Sequence, residues 1–421
     1  RLGPERLGPD RIVDGISLTE ASDVRDPNPI LQLLRSRFKW LFYSNLTNAI
    51  GMELRIMAQA WLILELGGSQ FWVGAATGLR VFPYILASLA AGVLIDRIGG
   101  RTILLWDRLG LMLLAAVTAL IVFFDVATVS HVVALSVAAG GVLALGMPSS
   151  NSLVVELVPR ERLQTANSLN TFTFSIARAL GPMSGGLLIA AFGLVSPWLA
   201  LVGLYAIAAL CTRRLPKVEV KSTGSAWESL VGGYRHVRSH PVISRVMVLC
   251  FSIIMATTVM PVWPIYARDR FDVGGTGFGT MMAVFAVGQG ISAMYVANRK
   301  QWPRLSVPIL YGATVWSAMM ILFGFSTSYP LTLAALFMMG TAIPPWVTSL
   351  ATILQTQTER AMIGRVMALY SMAIQIGFMG WLLGGWLGEL IGNDWMLLLT
   401  GSANALLTYL IFLSHRDMRQ L

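Results

Sequence analysis

Charge is what this chain has least of. Asp, Glu, Lys and Arg make up only 12% of its 421 residues, about half the share of a soluble globular protein. Cysteine is scarce too: Cys211 and Cys250 both sit at or in apolar stretches, so no disulfide framework is implied. There are four histidines. His236 and His240 are spaced by four, but no further ligand cluster accompanies them, and no metal centre is expected. A GxxxxGK[ST] phosphate loop is absent, which removes ATP as an energy source. No lysine interrupts the apolar runs, which excludes a retinal Schiff base. No Ser-His-Asp set has a plausible arrangement, so no enzyme and no cofactor are expected. Residues 1–36 lack the 7–15-residue apolar core of a signal peptide and read as a polar tail with no evident fold.

What the chain has instead is long apolar runs. Hydrophobic residues are 55% of the total, and many runs exceed the ~18 residues that read as a membrane-spanning helix. Twelve spans are expected, at roughly 40–66, 71–95, 102–124, 131–157, 163–192, 196–213, 243–267, 277–298, 305–326, 330–357, 362–391 and 395–413. Lipid offers the backbone no hydrogen-bond partner, so each span must be an α-helix. The expected class is an all-α integral membrane protein.

The net charge of +10 raises nucleic acid as a partner, and its distribution argues against one. Of the 31 Lys and Arg, 26 fall to the tails and to alternate loops with the span ends that border them; Arg55, Arg80 and Arg178 fall inside spans, and Arg268 and Arg270 on the opposite side. That bias sets orientation. It puts both termini in the cytoplasm.

The longest polar break, "LPKVEVKSTGSAWESLVGGYRHVRSHP", divides the spans into two sixes. The expected organisation is a tail at 1–36, a first bundle at 37–213, a linker at 214–241, a second bundle at 242–414 and a short tail at 415–421. A repeat supports the division. Shifted by 199 positions, Gly181, Gly185, Gly186 and Gly193 fall on Gly380, Gly384, Gly385 and Gly392. Parallel six-helix halves are a transporter architecture.

Two motifs carry a family resemblance. "GVLIDRIGGR", 92–101, joins the second and third spans, and "ARALGPMSGG", 177–186, lies in the fifth. The first resembles the loop signature of the major facilitator superfamily, and the second the Gly-Pro-x-x-Gly-Gly signature of its drug–proton antiporters. "AQAWLILELGGSQFWVGAATGLRVFPYILASLAAGVL" and "ESLVGGYRHVRSHPVI" look like the branch of enterobactin exporters and macrolide and tetracycline efflux proteins. The likeness runs over roughly residues 38–413. It implies two pseudo-symmetric six-helix bundles that expose a central site alternately to each side. Gly99 and Gly100 allow a tight turn. Asp96, Arg97, Arg101, Glu156 and Arg365 are then a latch that breaks as the bundles rock. Gly181, Gly185 and Gly186 admit a neighbouring helix, and Pro182 kinks its own. The fourth span lacks the midspan arginine of the better-known antiporters, so no coupling role is carried over from it.

The spans themselves hold Glu53, Arg55, Arg80 and Arg178. Glu53, Arg80 and Arg178 each lie roughly 20 Å from the basic-side end of their helix. Charges at that depth cost at least ~2.5 kcal/mol each and mark functional sites. Glu53 and Arg55 are two apart and face different directions, leaving Arg80 or Arg178 as partners for Glu53. Burial favours a protonated carboxyl and a neighbouring arginine an ionised one, a balance suited to carrying protons. Three arginines against one glutamate lean the first half towards anionic or phenolate-like groups. The second half holds 16 of the 21 methionines, with Gln289 and Gln375, and a methionine-rich wall suits varied amphipathic ligands.

The expected function is proton-coupled export of a small amphipathic organic molecule by a monomer, with protons and membrane lipids as its other partners. The alternatives are a lipid or lysolipid flippase on the same fold and a non-transporting assembly subunit that kept it. A lateral opening to lipid favours the first, and a stoichiometric complex the second.

Overall fold

The computed structural model describes residues 29–159, 162–216, 234–298, 302–359, 362–415 and 417–418. The first half runs α1 (Pro29–Arg35), α2 (Phe38–Glu65), α3 (Gln70–Gly78), α4 (Val81–Ile98), α5 (Gly100–Phe123), α6 (Val129–Leu157), α7 (Leu163–Phe192) and α8 (Ser196–Arg213). The second runs α9 (Pro241–Thr257), α10 (Val262–Ile265) continued by a π-helical turn at Tyr266–Arg270, α11 (Gly274–Asn298), α12 (Ser306–Phe325), α13 (Tyr329–Gln357), α14 (Ile363–Ile376), α15 (Met379–Ile391) and α16 (Asn393–Ser414).

Ten of these segments are long and apolar enough to cross a membrane. The other two crossings are α2, whose buried Ser44, Asn48, Arg55 and Gln59 lower its hydropathy, and α3–α4, broken at Leu79–Arg80. Twelve crossings return the chain to the side on which it began. That side is called the basic face below. Arg80 therefore sits at a helix break, where the sequence suggests a continuous span. Pro29–Arg35 is helical and Leu33 is 2% exposed, which corrects the expectation of a featureless tail. Leu33 packs there with Phe38 and Leu41. Residues 1–28 and the linker residues 217–233 lie outside the described residues.

Within the first bundle α2 packs against α7 and α8, α5 against α6 and α8, and α4 against α6. In the second, α12 packs against α13 and α16, α11 against α13, and α9 against α15 and α16. The bundles meet mainly through α7 on α11 and α3 on α15. The core shows how. One continuous apolar cluster runs through both bundles in the half away from the basic face, joining Trp61, Trp198 and Leu201 to Trp263, Phe278 and Met396. In the basic-face half the core is two separate clusters, one around Leu41, Leu104 and Leu153, the other around Leu249, Ile353 and Tyr370. The bundles are thus sealed on the opposite face and parted towards the basic one.

The turn in "DRIGGR" is a single residue. Gly99 closes α4 and opens α5 with φ +90°, a conformation that side chains resist. Gly100 is already helical, so only one of the two glycines serves the turn.

Candidate functional site

The repeat seen in the glycines is a repeat of contacts. A methyl at Gly181 would meet the Glu53 Cβ at 2.6 Å, and one at Gly185 would meet Leu54 and Met57 at 2.8 and 2.9 Å; both glycines press α7 onto α2. Gly186 faces the other bundle, 2.6 Å from the Gly275 carbonyl on the same measure. In the second half, Gly380 and Gly384 press α15 onto the backbone of Ile254 and Thr258 at the end of α9, and Gly385 faces Gln70 and Phe71 of the first bundle. In each half, two of the four glycines seat a helix in its own bundle, and a third lets the bundles touch. Pro182 lies inside α7. With no N–H of its own, it leaves the Arg178 carbonyl four residues earlier without its helical partner, and its own carbonyl lies 2.6 Å from where a Gly279 methyl would be.

At the bundle interface these elements bring together three residues singled out in the sequence. Arg178 Nε of α7 lies 3.7 Å from Glu53 Oε1 of α2. Its Nη1 donates to Gln289 Oε1 of α11 at 2.6 Å. The side chain of Arg178 is 49% exposed and that of Glu53 21%, so the pair is not locked in a dry core. Arg55, two residues on, is buried on another side of α2, beside Tyr205 of α8.

Arg80 and Gln375 meet elsewhere, in a cavity between the bundles. The Arg80 guanidinium stands over the Phe378 ring at 5.0 Å, and Tyr84 hydrogen-bonds to Gln375. Asn45, Asn48, Asp107, Arg108, Asn151 and Asn170 contribute to the wall from the first bundle. The cavity methionines are Met52 and Met147, both of the first bundle. The second bundle contributes Gln375 and Phe378 but no methionine. Met281, Met320, Met339 and Met396 are fully buried in the apolar core. This corrects the expected methionine-rich ligand wall: these thioethers fill packing gaps between helices.

The sequence reading missed a buried pair. Asp107, which it did not single out, and Arg108, which it counted with the basic-side loops, are 0% and 2% exposed. Arg108 Nη1 donates to Asp107 Oδ2 at 2.5 Å, Nη2 to Asn45 Oδ1 at 3.2 Å, and Nε to Ser44 Oγ at 3.4 Å. Ser44 in turn shares a 2.9 Å hydrogen bond with Thr212 of α8. The signal was an adjacent Asp-Arg two turns inside an apolar run, set opposite Ser44 and Asn45 in the first span.

The latch residues are dispersed in this conformer. Arg101 donates to the Arg213 carbonyl at 2.6 Å, at the C-terminal end of α8, where a cation suits the helix dipole. Glu156 accepts from Ser152 of its own helix at 2.9 Å. Arg97 and Arg365 are exposed. Among the described residues no ion pair joins these four; the Asp96 side chain lies outside the described residues.

The model of the Major Facilitator Superfamily matches residues 41–381. The chain belongs to that superfamily. It is a membrane transporter and not an enzyme. The multidrug efflux pump Tap of Mycolicibacterium fortuitum is 26% identical over 369 residues, 84% of this chain and 89% of that one. The enterobactin exporter EntS of Shigella boydii serotype 18 is 25% identical over 360 residues, 81% and 83% of the two chains. A D-xylose-proton symporter of known structure superposes with a TM-score of 0.69 at 13% identity, covering 93% of this chain and 99% of that one. At that identity the likeness shows the superfamily fold alone.

Proposed function

We propose that this transporter exports small amphipathic organic molecules across the bacterial inner membrane in exchange for protons, with its basic face in the cytoplasm. The excess of Lys and Arg on that face supports the orientation. The names of Tap and EntS, pumps of drugs and of a siderophore, support export and the substrate class.

The observation that carries the coupling is Arg178. It lies beside the Glu53 carboxylate in its own bundle and donates to Gln289 of the other. A proton on Glu53 removes the charge that holds Arg178 and changes its hold on Gln289, which links protonation to the bundle interface. Arg55 and Arg80 keep the surrounding first bundle positive and favour an anionic or phenolic substrate over a bare cation. Gly181, Gly185, Gly186 and Pro182 supply the close helix contact about which the bundles rock. Asp96, Arg97, Arg101, Glu156 and Arg365 form the latch of the opposite conformer, when the basic face closes. The working unit is a monomer.

The test is transport by protein reconstituted in liposomes under an imposed pH gradient, with Glu53→Gln beside the wild type. The substitution should reduce gradient-driven transport tenfold or more while leaving substrate binding in place. Undiminished coupling in Glu53→Gln would remove Glu53 from the mechanism.

A further inference from the structure

Two buried oxygens on the central cavity have no donor among the described residues. Asp107 Oδ1 and Asn48 Oδ1 are both inaccessible and find no hydrogen-bond partner there, and both residues line the same cavity. They are neighbours through Asn45. That residue lies one helical turn before Asn48 on α2 and accepts from Arg108, next to Asp107. Asn48 spends its amide only on a 3.7 Å contact to Met52 Sδ. A buried acceptor left unfilled is costly, and native structures rarely keep one without a use.

A proton on Asp107 is one way to fill that oxygen, and the surrounding charges oppose it. Arg108 is 2% exposed, and its other donors go to the neutral Asn45 and Ser44. Protonating Asp107 would leave that guanidinium buried without a counter-charge, the arrangement most costly to a buried pair. The other ionisable groups around the carboxylate are Tyr205 of α8 and, across the cavity on the α3–α4 break and α4, Arg80 and Tyr84. None of them supplies a negative charge for Arg108. With Asp107 ionised, one of its oxygens is held by Arg108 and the other is left without a donor among the described residues. The pair as a whole is neutral, so what it attracts is a hydrogen-bond donor and not a cation.

We infer that Asp107 and Asn48 form a subsite for the hydroxyl groups of the transported molecule. This rests on the export function proposed above, takes the cavity beside Arg80 and Gln375 as its substrate site, and adds the chemistry that the site selects. A phenol or alcohol donates one hydrogen bond to Asp107 Oδ1 and, where a second hydroxyl follows, another to Asn48, while its apolar body lies against Met52, Met147 and Phe378. The carboxylate lies against the bare backbone of Gly146 on α6: a methyl there would stand 2.9 Å from Asp107 Oδ1 and 3.1 Å from its Cγ and Oδ2.

The experiment is equilibrium dialysis of the full chain in lipid nanodiscs, with empty nanodiscs as background, against 2-naphthol and its methyl ether 2-methoxynaphthalene. The two differ by one donor. The wild type should bind 2-naphthol about tenfold more tightly, the worth of one hydrogen bond to a charged acceptor. Gly146→Ala keeps both ionisable residues and crowds the Asp107 carboxylate, and Asn48→Leu removes the second acceptor. Gly146→Ala should reduce the preference to less than twofold with ether binding unchanged, and Asn48→Leu should weaken it. Equal binding of the two probes by the wild type, or binding of neither, overturns the subsite. So does a full preference retained by Gly146→Ala. No gradient is applied, so the result is independent of whether Glu53 couples transport to protons.

Discussion

Arg178 reaches across the bundle interface to Gln289 at 2.6 Å, and it does so from a helix turn whose carbonyl Pro182 has released. The contact belongs to the conformer in which the opposite face is closed. Replacing Gln289 by Leu removes an acceptor from a charged donor, worth about 1.5–3 kcal/mol where the donor is desolvated. Arg178 is half exposed, which puts the effect at the low end. Gln289→Leu should shift the balance of conformers about tenfold away from the one described. Spin-label distances between α3 and α15 on the opposite face report it as a growing long-distance population.

The paired glycines predict paired phenotypes. Gly186 faces the Gly275 carbonyl, and Gly385 faces the backbone of Phe71. A valine at either site puts carbon into a backbone-to-backbone contact that has no flexible side chain to yield. Gly186→Val and Gly385→Val should each slow transport more than tenfold while the bundles themselves stay folded. Transport assays together with thermal unfolding separate the two effects. A loss in one variant but not the other would show that the repeat is of sequence without being of mechanism.

At the single-residue turn, strain sets the effect. Gly99 holds φ +90° and ψ 141°, and an L-residue there costs of order 1–3 kcal/mol. Gly99→Ala should lower the unfolding midpoint of the purified protein by a few degrees. Gly100→Ala, at the helical first position of α5 with 3.5 Å of clearance to Leu153 and Ser149, should not. Differential scanning fluorimetry of the two variants decides.

The two arginines on the opposite face break the charge bias for a structural reason. Arg270 Nη1 lies 3.1 Å from Asp394, and the same carboxylate accepts from Tyr266 at 2.6 Å. Arg268 donates to the Leu64 carbonyl at 2.9 Å, tying the π-helical turn to the end of α2. Asp394→Asn should destabilise the second bundle by about 1–2 kcal/mol, since these are partly exposed charged hydrogen bonds. A lower unfolding midpoint whose deficit shrinks at high salt would bear out the electrostatic part.

Much of the architecture was legible along the chain. Twelve apolar runs, a one-sided distribution of Lys and Arg and a 199-residue recurrence of glycines are local properties, and lipid leaves an apolar run of that length only a helix to form. Glu53 and Arg178 stood out because a charge in the middle of such a run is rare. Asp107 and Arg108 escaped notice because they lie near the end of theirs, where a charge reads as belonging to the membrane surface. Only the approach of α2 with Ser44 and Asn45, and of α6 with Gly146, turns them into a buried pair on a cavity wall. The methionines misled for the converse reason: a residue that suits a ligand wall suits a packing gap equally, and spacing along the chain does not separate the two.

The sequence by itself determined that this protein crosses a membrane twelve times, which side carries the charge, and that its halves repeat, because hydropathy and charge act residue by residue against a fixed lipid thickness. Which ionised groups meet, whether Glu53 finds Arg80 or Arg178, and which face is sealed were decided only by tertiary structure. Those depend on how closely helices from distant parts of the chain approach, and that is set by glycines in one helix meeting bare backbone in another.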